Sequence, residues 1–173
     1  MVNKKGTTIP SDLPLAKEHI YDSCTFDFKN LQKEKESAEY EAYSFQLNNK
    51  SILFRTAKIT PTKIGQFVTL WKRIGHGPIQ PFDYKDEVDL IVISVRKDYN
   101  TGQFVFPKPM LCQKGIISTS NKEGKRAIRV YPPWDKELNK QAQKTQQWQL
   151  DYFLEIPEDK PIDRERAKML YDL

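Results

Sequence analysis

One apolar run constrains the fold of this chain more than any other segment. Residues 88–95 are apolar on both alternating faces except for Asp89 and Ser94. A strand of this kind is typical of the inside of a sheet, since a sheet covered on both faces keeps successive side chains from water. Together with the helices and strands interspersed along the chain, the run predicts an α/β (α+β) fold, in which a mixed sheet is flanked by helices.

Further strands are predicted on both sides of this run. Residues 43–47 alternate between apolar and polar, and Asn48-Asn49 offers a turn into a second strand at 51–58. Residues 100–102 turn the chain into 103–106, which forms a hairpin with the inner strand. Another strand is predicted at 126–131.

Five helices are predicted. Ser11 is placed to cap a helix that reaches Cys24, and Thr60-Pro61 has the form of a helix start. In the helix predicted to begin at Thr60, the spacing of the apolar residues Ile64, Phe67, Val68 and Trp71 indicates a buried helical stripe. The other helices are expected around Met110, at 136–154 and at 162–171.

A single domain, 1–173, accommodates these elements. We divide it into an N-terminal helix and linker at 1–36, a core at 37–156 and an acidic C-terminal helix at 157–173. Cys24 and Cys112 stand far apart, the start at residues 1–6 has no apolar signal segment, and no run is long enough to span a membrane. A cytoplasmic protein is expected.

The charges are distributed unevenly. Of 28 basic and 23 acidic residues, 1–41 hold 6 and 8, and 150–173 hold 4 and 7, which leaves 18 against 8 in 42–149. No acidic residue occurs between Glu41 and Asp83, a stretch called the acid-free window here. Cations without neighbouring carboxylates suit a polyanion, because each can pair with a phosphate and release a counterion. The window predicts a nucleic-acid-binding surface.

Three groups of residues could form that surface, and each has a plainer alternative. Lys58 and Lys63 at the predicted helix start could hold a phosphate, or they could simply be solvated. Trp134, which follows a basic stretch, and Trp148, on a helix rich in Gln and Lys, could stack bases or belong to the core. The predicted binding residues are Arg55, Lys58, Lys63, Lys72, Lys108, Lys125, Arg126, Arg129, Trp134 and Trp148.

Signs of catalysis are weaker. The chain has no phosphate-binding glycine loop and no nucleophile elbow, and His19 and His76 are isolated. The acidic residues Asp83, Asp86, Glu87 and Asp89 could ligate a hard cation, although such residues before a strand are more often a solvated loop. No cofactor or metal is expected.

Several long runs resemble the MepB family, whose members are encoded beside a multidrug efflux pump and its repressor. These runs are FRTAKITPTKIGQFV at 54–68, GQFVFPK at 102–108, GKRAIRVYPPW at 124–134, and QQWQ at 146–149 followed by Tyr152-Phe153. The resemblance implies a restriction-endonuclease-like core of the P-D…(D/E)-x-K type that binds nucleic acid.

In such a core Asp89 would match the first acid and Lys108 the lysine. The position two before that lysine is Phe106, which cannot ligate Mg²⁺, so the metal site is incomplete. We therefore expect a nucleic-acid binder without catalysis, which prefers single strands or RNA. The alternatives are a divergent Mg²⁺-dependent nuclease that uses Asp89 and Lys108, and an accessory of the efflux system whose basic face docks an acidic protein partner.

Overall fold

The structure is a computed structural model and describes residues 11–172. Within these residues the strands are β1 (Phe28–Lys33), β2 (Tyr43–Leu47), β3 (Lys50–Thr56), β4 (Lys58–Ile59), β5 (Gln66–Thr69), β6 (Trp71–Arg73), β7 (Ile79–Pro81), β8 (Leu90–Lys97), β9 (Asn100–Pro107), β10 (Ala127–Val130) and β11 (Phe153–Glu155). The helices are α1 (Asp12–Ala16), which continues as a π-helical segment (Lys17–Asp22), α2 (Lys108–Gln113), α3 (Lys140–Leu150) and α4 (Arg164–Tyr171). A short 3-10 turn spans Ala38–Tyr40.

The apolar run forms the centre of the main sheet, as predicted. This sheet has six strands in the order β1-β2-β3-β8-β9-β11, and β8 pairs in parallel with β3 and antiparallel with β9. The sheet is therefore mixed. The first six residues of β8 are buried on both faces. The two predicted hairpins, 43–58 and 88–106, are both confirmed, with strands at 43–56 and 90–107.

Two apolar layers cover the faces of this sheet. On one face Leu90, Val92 and Val105 pack against the N-terminal helices and α4. On the other face Ile91 and Phe106 belong to a second layer. This layer also contains residues of β5, β10 and α2 and of the segment that follows α2. Helices flank the sheet as predicted. The C-terminal helix is part of the core, because Ala167, Leu170 and Tyr171 are buried.

The predicted helix beginning at Thr60 is wrong. Residues 61–65 form bends, and the chain continues into β5 and β6. Gly65 has a φ of +85°, which a helix does not allow, and a Cβ there would lie 2.6 Å from the Tyr131 ring. Val68 is fully buried while Ile64 is 44% exposed, so the apolar residues do not share a buried face. Pairing of β5 with β10 on one side and β4 on the other prevails over the helical spacing.

The other helix boundaries differ in smaller ways. Ser11 makes no side-chain cap, although the apolar residues of that first segment, Leu13, Ala16, Ile20 and Cys24, are buried. The helix predicted at 136–154 is shorter. It starts at Asn139, whose side chain accepts a hydrogen bond of 2.8 Å from the Ala142 amide, and it ends before β11 pairs with β9.

The segment predicted as an N-terminal linker contains β1, which pairs with β2 at the edge of the main sheet. The predictions made for residues 1–10, including the absence of a signal segment, lie outside the described residues. Between residues 11 and 172, no helix is both long enough and apolar enough to cross a bilayer.

Candidate nucleic-acid interface

Most cations of the acid-free window are paired with acids that lie outside it. The ion pairs are Lys50–Asp172 at 3.3 Å, Arg55–Glu34, Lys58–Glu39 at 4.0 Å, Lys72–Asp86 at 2.7 Å and Arg73–Glu36 at 2.8 Å. Among residues 11–172, Lys63 is the one cation of the window without such a pair. The prediction of an unopposed basic surface across the window is therefore wrong, because carboxylates remote in sequence fold onto it.

Arg55 is not available to a ligand. Its side chain is 1% exposed and is paired with Glu34 in the interior. It also donates a hydrogen bond of 3.0 Å to the Phe54 carbonyl. Burial lowers the pKa of the Arg55 guanidinium and raises the pKa of Glu34, while the attraction between the two groups opposes both shifts.

Lys58 and Lys63 do not form the predicted phosphate site. That site required a helix start at Thr60, and the structure has bends there. The Lys58 amine lies 4.8 Å from the centre of the Tyr40 ring, in addition to its contact with Glu39. Lys63 is exposed.

Three other predicted cations are held by neighbouring groups. Lys72 is paired with Asp86, and Lys108 donates a hydrogen bond of 2.6 Å to the Asp86 carbonyl. Arg126 is paired with Glu123 at 3.0 Å. A phosphate that binds any of these three side chains would therefore have to displace its present partner.

Asp89 and Lys108 are brought together, but their polar groups are in use. The Lys108 amide donates to the Asp89 carbonyl at 3.0 Å, and the Asp89 carboxylate accepts from the Ser51 amide at 2.8 Å. Both residues line a cavity of about 650 Å³. Phe106 is fully buried and stacks on Phe104 with ring centres 5.4 Å apart. In the part of the chain that the structure describes, no three His, Cys, Asp or Glu side chains gather as metal ligands.

A groove between β10 and α3 brings together three of the predicted binding residues. It has a volume of about 410 Å³. The described residues that line it include no carboxylate; they are Phe67, Lys114, Ile116, Lys125, Ala127, Ile128, Arg129, Tyr131, Asn139, Gln141, Ala142, Thr145, Trp148 and Gln149. We call this the β10–α3 groove.

Strand β10 gives one wall of the groove. Ile128 and Val130 are buried in the core, so the alternate residues on either side of them turn toward the groove. Arg129 donates hydrogen bonds to the Thr60 hydroxyl at 2.7 Å and, at 3.4 Å, to the Ile64 and Gly65 carbonyls, and its guanidinium lies 5.9 Å from the centre of the Phe67 ring. Lys125 is exposed, and the structure gives it no ion pair within residues 11–172.

Helix α3 gives the other wall. Its lining residues recur at the spacing of one helical face. Trp148 packs against Phe106 with ring centres 5.3 Å apart, and the Lys114 amine lies 5.3 Å from the centre of the Trp148 ring. The indole is thus both part of the core and within reach of the groove, so the two interpretations of Trp148 are compatible.

Trp134 lies elsewhere. It contacts Phe153 edge to face at 6.0 Å and lines a separate cavity that also contains Tyr99 and Lys136. Lys114, in contrast, was missed by sequence reasoning. It follows α2 as an isolated lysine, and no spacing in the sequence links it to a tryptophan 34 positions away.

The fold and the groove define a mixed α+β protein with a basic cleft whose described lining residues include no carboxylate. A family model described as MepB-like matches residues 34–155, and the chain belongs to that family. It is also similar to a solved structure named "Crystal Structure of MepB", with 37% sequence identity and a TM-score of 0.74. The similarity covers 88% of this chain and 99% of that one. A search among curated proteins found no match.

Proposed function

We propose that this protein binds single-stranded nucleic acid, DNA or RNA, in the β10–α3 groove and does not cleave it. The observation that carries the proposal is the lining of the groove: Lys114, Lys125 and Arg129 beside Trp148, with no carboxylate among the described lining residues. We also propose a cytoplasmic location, since a nucleic-acid-binding protein meets its ligand there and the free thiols of Cys24 and Cys112 would be kept reduced.

The cations provide the affinity for the backbone. Each of the three can neutralise one phosphate without competing with a carboxylate in the groove. Neutralising about three phosphates of a single strand predicts a slope of roughly −2 for the logarithm of affinity against the logarithm of salt concentration. One wall of the groove is only a short strand. Contacts to the nucleic-acid backbone are therefore favoured over reading of a long base sequence.

Trp148 provides the stacking surface. The Lys114 amine lies over its ring and lines the groove with it, so a base that stacks on Trp148 would take the place of this amine. Stacking of a base on an aromatic side chain contributes about 1–3 kcal/mol and requires an unpaired base. A duplex has no such base to offer, so single strands are preferred.

We further propose that the six-stranded sheet is a form of the restriction-endonuclease core that lacks a complete metal site. Asp89 directly precedes β8 and Lys108 directly follows β9, at the end of this hairpin opposite its turn, while the position of the second acid is the buried Phe106. Incubation with Mg²⁺ or Mn²⁺ should leave DNA and RNA oligomers intact. Cleavage that disappears in the Asp89→Ala variant would instead support the nuclease alternative.

The decisive experiment is a binding titration with a labelled single strand, a duplex and an RNA strand at two ionic strengths. The test variant is Lys114→Glu/Lys125→Glu, which reverses two charges of the groove. The control is Lys33→Glu/Lys35→Glu, which makes the same change in net charge at exposed positions outside the groove.

We expect the groove variant to lose at least tenfold in affinity and the control to lose much less. Equal losses in the two variants would mean that net charge alone drives binding, and the groove would not be the site. If the protein binds no nucleic acid but retains a protein partner after nuclease treatment, the efflux-accessory hypothesis gains instead.

A further inference from the structure

The free edge of β10 offers hydrogen-bonding groups inside the β10–α3 groove. Strand β10 is the last strand of a three-stranded sheet and pairs only with β5 among the described strands. The Leu70 amide donates to the Arg126 carbonyl at 2.8 Å, so the backbone groups of even-numbered residues turn toward β5. The backbone groups of Ala127, Arg129 and Tyr131 therefore turn away from it.

A buried side chain closes one part of this edge. The carboxamide of Gln149 donates to the Arg129 carbonyl at 3.0 Å and accepts from the Tyr131 amide at 2.9 Å. It thus bridges the carbonyl of one residue and the amide of the residue two positions later. Gln149 is 1% exposed, so the bridge is a fixed part of the fold.

The next pair of the same kind along this edge is free. It consists of the Ala127 carbonyl and the Arg129 amide, and no group of residues 11–172 hydrogen-bonds to either. The two pairs lie about 7 Å apart, two residues along a strand. Ala127 and Arg129 both line the groove, so a bound molecule can reach the free pair.

The structure assigns this pair to the hydrogen-bonding edge of an unpaired nucleobase, an inference that rests on the proposed function. An amide edge fits the pattern, since the Gln149 carboxamide already makes it at the neighbouring position. Uracil and thymine carry such an edge in the N3–H donor beside a ring carbonyl. Lys125 and Arg129 flank the pair and suit the phosphates of the same strand.

A nucleobase suits this edge better than a β-strand of a peptide. Gln149 closes the edge beyond Arg129, and only a short segment is left for pairing. The cations of the groove also select a polyanion over an ordinary peptide.

The first test compares oligothymidylate with the same strand made of N3-methylthymidine, and oligouridylate with its N3-methyluridine counterpart. Methylation removes the donor but keeps the phosphates and the stacking ring. We expect about tenfold weaker binding of the methylated strands. Equal binding of methylated and unmethylated strands would overturn the inference and leave the proposed function intact. Failure of every strand to bind would overturn both.

The second test follows the backbone amides by hydrogen exchange. In the free protein the Tyr131 amide should exchange slowly and the Arg129 amide rapidly, and the unmethylated strand should protect Arg129. Protection of Arg129 by a peptide and not by an oligonucleotide would overturn the inference.

A protein variant completes the test. Ala127→Val suits a strand and enlarges a side chain that lines the groove. It should bind methylated and unmethylated strands equally, at the level of the methylated strand with the natural protein. If this variant still binds unmethylated strands ten times more tightly than methylated ones, with DNA or with RNA, the binding of a base at Ala127 is contradicted.

Discussion

Arg55, in β3, and Glu34, which directly follows β1, form an ion pair in the interior. Their side chains are 1% and 22% exposed. The Arg55 guanidinium also lies 5.9 Å from the centre of the Phe82 ring. The Glu34 amide in turn donates to the Ala42 carbonyl at 2.9 Å. A glutamate outside the acid-free window is thus the partner of the most buried cation inside it.

Removal of one partner of this pair should destabilise the protein strongly. Glu34→Ala leaves the Arg55 charge buried without compensation, and we expect the free energy of unfolding to fall by about 3–5 kcal/mol. Replacing both residues by Met avoids the unpaired charge, so the double variant should be more stable than Glu34→Ala. Urea denaturation of the variants checks both expectations. A double variant that is no more stable than Glu34→Ala would contradict the coupling.

The ion pairs formed by the cations of the acid-free window explain why the binding surface could only partly be predicted. Sequence spacing showed that Arg55 and Lys72 lack acidic neighbours along the chain. It could not show that Glu34 and Asp86 approach them in the folded state, because strand pairing sets those distances. Lys125, Arg129 and Trp148 were predicted individually, and the contact between β10 and α3 brings them together.

The fold was predicted best where the pattern of apolar and polar side chains fitted only one kind of secondary structure. The buried run of β8 could only be an inner strand, and the two hairpins followed from their turns. The spacing of Ile64, Phe67 and Val68 fitted a helix as well as two short strands, and the positive φ of Gly65 is not visible in the sequence. The restriction-endonuclease-like core stays a prediction.

Glu36 and Glu34 should respond to pH in opposite ways. Hydrogen bonds from Arg73 and Trp71 lower the pKa of Glu36 below its usual 4.5, so its contribution to stability is present above pH 4.5 and is lost as the pH falls through the lower, folded-state pKa. Burial raises the pKa of Glu34 above 4.5, so its ionisation costs stability as the pH rises through the folded-state pKa.

The measurement is stability against pH for the natural protein and for Glu36→Gln. The variant should lose less stability on acidification below pH 4.5 than the natural protein does. A carboxyl titration by NMR should place Glu36 below 4.5 and Glu34 above it. The same order of the two pKa values in the denatured protein would contradict an origin in the fold.

Lys72 and Lys125 should differ in their effect on the salt dependence of binding. Lys125 is unpaired within the described residues, whereas the Lys72 amine is 2.7 Å from Asp86. Only a cation that pairs with a phosphate on binding releases a counterion. Lys125→Ala should therefore make the salt slope for a single strand shallower by about 0.7, and Lys72→Ala should leave it unchanged. Affinity measured at several salt concentrations decides between them, and a shallower slope for Lys72→Ala would restore the window as a binding surface.

Trp148 and Trp134 provide a matched pair for the stacking prediction. Both are half-buried and both contact a core phenylalanine, but only Trp148 lines the β10–α3 groove. Trp148→Leu should weaken the binding of a single strand by about tenfold, because a base loses its aromatic partner. Trp134→Leu removes a similar amount of core contact and should leave affinity within about twofold, which separates stacking from general destabilisation. Anisotropy titrations below the melting temperature of both variants provide the comparison, and similar losses in the two would show that the indole of Trp148 acts through the core alone.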